Sequence, residues 1–310
     1  MMMLVVFLFL ALLKIVCSSY HIKDNSLVPP YLSPYWISYG STVTEPQFVR
    51  LTSDVKSSQG GIYNTKPLIA RDWEMVITFH VHSSKTLVGD GFAFWYTQNP
   101  PSNGPAFGSR EKFRGLAVFF DTYANQNGEH SHDHPYISAM INDGSKLYDH
   151  DRDGTLTELA GCSSNFRNND YSIATIRYAN NQLKVSMKYQ GTVDPVDCFT
   201  VDGVHLPTGY YIGVSAATGD LSDNHDIYSI HTYELDVGRK DNPFTDFSQI
   251  EPSADQEAAP RARVDDAPTS MLSRLFTLFS WLFIIGCLGG GGYIGYRYYK
   301  KRQRQMKRFY

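Results

Sequence analysis

Between about residue 20 and residue 237, the apolar positions come in short β-prone runs separated by polar or glycine-containing turns. The clearest runs are residues 74–81, 91–97, 115–120, 136–141, 210–216 and 226–235. Over 171–189 the pattern predicts a hairpin. Leu183, Val185 and Met187 alternate with Lys184, Ser186 and Lys188, and Asn180-Asn181 supplies the turn. No sustained 3.6-residue period precedes residue 270. Many strands joined by turns predict an all-β fold, an antiparallel β-sandwich.

Both ends of the chain break this pattern. Residues 1–19 carry an apolar run and end in small residues, as a secretory signal peptide does; an uncleaved anchor is the alternative. Residues 238–273 are polar, proline-containing and poor in large apolar side chains, and predict a flexible stalk. Residues 274–296 have the length and apolarity of a membrane-spanning helix, with a buried soluble helix as the alternative. Residues 297–310 are rich in Lys and Arg. Positive flanks stay cytosolic, so the β-rich part, residues 20–237, is expected to be lumenal or extracellular.

Composition supports this division. The chain has 310 residues, 42% hydrophobic and 14% aromatic, ample for a large β core. Its net charge of −3 is uninformative about nucleic acid, and the lack of a basic face before the tail argues against nucleic-acid binding. Of the four cysteines, Cys17 falls in the leader and Cys287 in the span. Cys162 and Cys198 remain in the β-rich part, where an oxidising compartment favours one disulfide; two buried thiols are the alternative.

Candidate chemistry lies in polar motifs between the apolar runs: Gly89-Asp90-Gly91, residues 121–125 (DTYAN), residues 148–154 (YDHDRDG) and Gly219-Asp220-Leu221. Their oxygen-bearing side chains suit a hard divalent cation. Asp121 and Asn125 sit on a turn after a strand, and Asp153 can complete the set from a second loop. Turn-capping Asx residues are the competing reading. His130, His132 and His134 alternate in a polar segment that reads first as a solvated loop. A pH sensor, or a zinc or copper site, are the alternatives.

The ordered motifs GDGFAFWYTQNP, GLAVFFDTYANQ, PYISAMINDGS, YDHDRDG, TELAGCSSNFRN and LPTGYYIGVSAATGDLSDNHDI closely resemble the L-type lectins of the secretory pathway, above all their vesicular integral-membrane members and ER-resident relatives. The resemblance covers roughly residues 30–237 and extends to the layout of leader, stalk, span and basic tail. It implies a legume-lectin-like β-sandwich that binds high-mannose N-glycans with Ca2+. By motif, Asp121, Asn125 and Asp153 correspond to calcium ligands, with the Tyr123 carbonyl as a fourth. Ser57, Asp90, Asn125, His150 and the Gly219-Asp220-Leu221 loop correspond to the mannose-contacting set, with Ser58 adjacent to Ser57 as a rival. Cys162–Cys198 matches the family disulfide. Tyr123 or Tyr148 can stack on a sugar face, and His150 invites a pH-dependent release of ligand.

The resemblance also implies a cargo-sorting lectin between ER and Golgi whose tail meets vesicle coat proteins. Phe309-Tyr310 is similar to an exit signal and Lys307-Arg308 to a retrieval signal; basic residues that merely fix topology are the alternative. Two other function classes compete. A glycoside hydrolase needs two carboxylates facing across the scissile bond, and no strand carries a Glu-x-Asp-x-Glu pair. A protein-binding chaperone with a vestigial sugar site would capture cargo without calcium.

Overall fold

The computed structural model describes residues 18–125, 132–238, 245–255 and 271–306. In chain order the strands are β1 (Ser18–His21), β2 (Trp36–Gly40), β3 (Val43–Thr44), β4 (Val49–Thr52), β5 (Gln59–Asn64), β6 (Trp73–His82), β7 (Gly91–Thr97), β8 (Arg114–Asp121), β9 (Tyr136–Asp143), β10 (Ala160–Ser163), β11 (Ser172–Ala179), β12 (Gln182–Tyr189), β13 (Val196–Asp202), β14 (Val204–His205), β15 (Tyr211–Ala217), β16 (Asn224–Asp236) and β17 (Ser253–Ala254). Among the described residues, one long helix, α1 (Met271–Met306), follows.

The pairings are antiparallel and build two large sheets. One has eight strands, in the order β13-β12-β11-β6-β16-β4-β3, with β1 also on β16; the other has seven, in the order β10-β9-β8-β7-β15-β5-β2. The expected hairpin is β11–β12. Asn180 and Asn181 form its two-residue turn at φ 54° and 59°, the left-handed pair that matches strand twist.

Period-2 patterning places the main core between the sheets. β6 alternates buried and half-buried residues along its whole length. Its inward Phe79 packs edge-on against Phe92 and Phe120 of the seven-stranded sheet at 4.8 and 5.4 Å, in one cluster with Ile77 and Phe94, and Phe92 stacks on Phe120 at 4.4 Å. Each such ring contributes about 2–3 kcal/mol by leaving water. β7 is buried at every position, because its other face is covered too. Ala93, Trp95, Phe107, Phe119, Met140 and Tyr148 form a second, smaller core there. A disulfide joins Cys162 on β10 to Cys198 on β13 with Cα atoms 5.4 Å apart, tying an edge of one sheet to an edge of the other.

The segment expected to be a stalk from residue 238 differs at its start. Residues 247–255 pack on the β domain: β17 pairs with β14, the Arg71 guanidinium lies 3.6 Å from the Phe247 ring centre, and Arg114 meets Glu251 at 3.2 Å. Backbone pairing and a cation–π contact hold a sequence whose composition alone could not build a core. Residues 1–17, 256–270 and 307–310, which include most of the leader and the tail signal Lys307, Arg308, Phe309 and Tyr310, lie outside the described residues. Within α1, Leu278–Gln303 is long and apolar enough, by length and composition, to cross a membrane.

Candidate functional site

Strand register assembles the site. Gln59 pairs with Ala217, Ala217 with Gly91, Gly91 with Asp121, and Asp121 with Tyr136. These residues form one row across the end of β5, β15, β7, β8 and β9. Neighbouring strands lie about 4.8 Å apart, so the loops just beyond the row converge within about 15–20 Å. Those loops carry Ser57, residues 218–221, Asp90, residues 122–125 and His134.

Asp90 sits at the middle of the row. Its amide donates to the Ala217 carbonyl (3.3 Å), and its own carbonyl accepts from the Thr122 amide (2.9 Å). A Cβ on Gly219 would lie 3.2 and 3.3 Å from the two Asp90 carboxylate oxygens, and a Cβ on Gly89 would lie 3.3 Å from that of Leu221 and 3.4 Å from that of Tyr123. Glycine at 219 thus leaves room above the carboxylate. Burial pushes the Asp90 carboxyl up from 3.8 to about 6; His150 pulls against the rise and Asp121 adds to it. A half-buried carboxylate in that state gains from any ligand that donates hydrogen bonds to it.

The rim is polar. The Ser57 amide donates to the Gly219 carbonyl (3.0 Å), and its side chain is exposed. The Ser58 hydroxyl instead donates to Ser41 (2.7 Å) and is buried, so the loop presents Ser57. The Asp220 side chain is 98% exposed and reaches Lys56 at 3.7 Å, leaving the backbone of the Gly219-Asp220-Leu221 loop as the part turned toward Asp90. His150 opens a 3-10 turn, His150–Arg152, with its ring edge-on to Phe107 at 5.2 Å; its buried Nδ1 has no hydrogen-bond partner among the described residues. Tyr123 is exposed beside the loop. Tyr148 is buried in the second core, which removes it as a stacking platform. Asp149 is engaged by Arg152 (3.0 Å) and Asp151 is exposed.

Beneath this rim lies a concentration of negative charge. Asp121 and Asp153 are 4% and 3% exposed. Asp121 Oδ1 accepts from the Tyr123 amide (3.0 Å) and Asp153 Oδ1 from the Asn125 amide (3.0 Å). Asp153 caps the 3-10 turn in the left-handed region (φ 51°), which brings the second loop back to the first. Asp121 Oδ2 and Asn125 Oδ1 are buried without a hydrogen-bond partner among the described residues. Two buried carboxylates and an orphaned amide oxygen, all hard donors, fit a calcium ion, which takes oxygen ligands and would offset the repulsion.

The histidine segment is not the solvated loop that its polar composition predicts. His130 lies outside the described residues, but the side chains of His132 and His134 are 5% and 6% exposed. His134 Nε2 stands 3.7 Å from Asp121 and 4.0 Å from Asp153. Burial alone would lower its pKa, yet the Asp121 carboxylate, with Asp153 and the His132 carbonyl, carries it above its ordinary 6.5. A polar local sequence hid this burial, because the pairing of Tyr136 with Asp121 draws the segment inward.

Comparison with known proteins finds relatives over most of the chain. The legume-like lectin family matches residues 18–242. The chain is 42% identical to the vesicular integral-membrane protein VIP36 of Homo sapiens over 312 aligned residues, covering 94% of this chain and 86% of that one. It is 34% identical to protein ERGIC-53 of Rattus norvegicus over 214 residues, 68% of this chain and 41% of that one. Among solved structures, the VIP36 exoplasmic/lumenal domain in its Ca2+/Man2-bound form superposes with a TM-score of 0.73 at 44% identity, covering 76% of this chain and 98% of that chain.

Proposed function

This chain belongs to the legume-like lectin family, and we propose that it is a calcium-dependent lectin for high-mannose N-glycans on secretory glycoproteins. The observation that carries the reading is the buried Asp121–Asp153 pair, with Asp121 Oδ2 and Asn125 Oδ1 lacking a hydrogen-bond partner among the described residues, on loops that adjoin the Asp90–Gly219 notch. The solved VIP36 lumenal domains that resemble it include forms bound to Ca2+ with Man, Man2 and Man3GlcNAc.

In this reading Asp121, Asn125, Asp153 and the Tyr123 carbonyl hold calcium. Bound calcium supplies positive charge that fixes the two loops together. Asp90 offers two carboxylate oxygens to sugar hydroxyls, and the backbone around Gly219 approaches the ring because no side chain intervenes. Asn125 gives its oxygen to the ion and its NH2 to a hydroxyl. His150 and Ser57 complete the polar rim, Leu221 and Tyr123 its apolar edge. Every side chain has a binding role, so the reading is of a lectin and not an enzyme.

The wider arrangement belongs to the same proposal. A leader directs residues 20–237 to the lumen, α1 spans the membrane once, and the tail ending in Lys307, Arg308, Phe309 and Tyr310 meets coat proteins during ER–Golgi transport. Confinement to a membrane lets weak single sites act together on multivalent cargo. The test is binding to a mannose-rich glycan panel with calcium, with chelator, and with Asp121→Asn. Calcium-dependent binding lost in the variant supports the reading. A folded, calcium-loaded protein that ignores the panel overturns it in favour of a protein-binding chaperone, and hydrolysis of a mannoside overturns it in favour of an enzyme.

A further inference from the structure

Three loops frame the Asp90 notch: residues 53–58, 83–90 and 218–222. Ser57 lies on the first, Asp90 ends the second, and Gly219-Asp220-Leu221 lie on the third. None of the groups assigned to calcium belongs to them.

The first and third loops are latched where they leave their strands. The Thr218 amide donates to the Ser58 carbonyl (2.9 Å), the Ser58 amide to the Thr218 hydroxyl (2.9 Å), and that hydroxyl to the Val55 carbonyl (2.7 Å). A second latch, at their far end, is ionic. Asp54 Oδ1 accepts from Lys85 Nζ (2.7 Å) and from the Ser222 hydroxyl (2.6 Å), and Oδ2 accepts from the Ser83 hydroxyl (2.7 Å). Lys85 Nζ also donates to the Ser222 oxygen (2.9 Å), so one ammonium ties its own loop to the other two. Burial alone would raise the Asp54 carboxyl, yet the bonds from Lys85, Ser222 and Ser83 hold it at about 2. Arg167 closes the knot from outside. It pairs with the buried Asp223 carboxylate (3.0 Å) and donates to the Lys85 carbonyl (3.3 Å).

An isolated surface ion pair is worth little, and the Lys56–Asp220 pair, exposed at both ends, is of that kind. Lys85 differs because its donors meet two shielded acceptors at once. The Asp54 side chain is 19% exposed and Ser222 only 1%. Removing the ammonium leaves a charge without its cation and a buried oxygen without that donor.

We propose that Lys85 is a positioning residue for the sugar site: through Asp54 and Ser222 it presets the loops bearing Ser57, Asp90 and Gly219-Asp220-Leu221, without help from calcium. The inference rests on the lectin reading for its ligand. It divides the site in two. Calcium sets the loops of residues 121–125 and 150–153, and a charge knot sets the opposite rim.

The experiment uses the full chain in detergent. Amide hydrogen exchange is followed by mass spectrometry with calcium and with chelator, and binding of mannobiose and of calcium by calorimetry. In the unmodified chain, residues 54–58 and 218–222 should exchange equally slowly with and without calcium. Lys85→Met should speed exchange in both segments about tenfold and weaken mannobiose at least about fivefold. Calcium affinity and the protection of β6 should stay as they were. Lys85→Arg, which keeps the charge, should restore most of both effects. Lys184→Met, which breaks the exposed Lys184–Asp197 pair (2.8 Å) elsewhere on the domain, should change neither.

Protection of the two segments that disappears in chelator overturns the proposal, and the unmodified chain decides this even if Lys85→Met fails to fold. So does Lys85→Met with unchanged exchange, with unchanged mannobiose affinity, or with faster exchange throughout β6 as well. An unmodified chain that binds calcium but no mannobiose sinks the lectin reading, and with it the assigned ligand, while exchange still decides whether Lys85 presets the loops.

Discussion

Asp90→Asn separates what the site costs the fold from what it does for the ligand. The Asp90 carboxyl is raised from 3.8 to about 6, chiefly by burial. An acid raised on folding binds its proton more tightly in the native state than in the unfolded one, so stability falls as pH rises from 3.8 to about 6 and stays lower above that. The full rise corresponds to about 3 kcal/mol. Asp90 is only half-buried, and solvent screening reduces this to about 1–3 kcal/mol. Asparagine keeps the shape and removes the charge. In chelator, the soluble portion 18–255 carrying Asp90→Asn should resist urea more than the unmodified protein by about 1–3 kcal/mol at pH 7.5, and the gap should close by about pH 4. The same variant should lose mannoside binding, because the carboxylate acceptor is gone. Equal stability at pH 7.5, or a gap that does not change with pH, would refute the argument that Asp90 is held charged against its environment.

His225 is fully buried beside the Thr52 hydroxyl at 2.7 Å, and burial drives its pKa from 6.5 to about 3. The unfolded chain therefore takes up a proton that the native one refuses, so stability should fall by about 2 kcal/mol between pH 6.5 and 5; a denaturation series on His225→Gln should lose that slope. Replacing Cys162 and Cys198 by alanine opens a link spanning 36 residues and should cost about 2–4 kcal/mol, measured by urea midpoint under non-reducing conditions. Gly219→Ala places a methyl 3.2 Å from an Asp90 oxygen; titration calorimetry should show mannoside binding weakened about tenfold or more, with calcium affinity unchanged. Binding as tight as in the unmodified protein would remove the 219 loop from the sugar site.

Legibility followed chemistry. Strands with strong alternation, such as β6 and the β11–β12 hairpin, announced themselves because one face is wet and the other dry. β5 did not. Its Gly60 and Gly61 look like turn residues, yet Cβ atoms there would lie 2.3 Å from the Leu51 carbonyl and 2.6 Å from the Tyr39 ring, so glycine reflects crowding from neighbouring strands. The polar motifs around Asp90, Asp121 and Asp153 stood out individually. Their convergence is a property of register across five strands, which no local pattern encodes. His134 was misread for the same reason, since its burial is imposed by a partner strand. Residues 247–255 were missed because contacts to Arg71, Arg114 and His205, distant in sequence, order them.

The small second core beneath the seven-stranded sheet has an evolutionary consequence. Phe107 and Tyr148 belong to it, and His150 rests on Phe107. Conservative swaps among Phe119, Met140 and Trp95 would alter how firmly that loop is seated before a ligand arrives, without altering any atom the ligand touches. Because this core is separate from the larger one between the sheets, such swaps can accumulate at modest cost to the whole. Ligand preference in this protein can therefore drift or be selected through hidden, silent-looking positions, and a directed library there would reach phenotypes that mutating the rim alone does not.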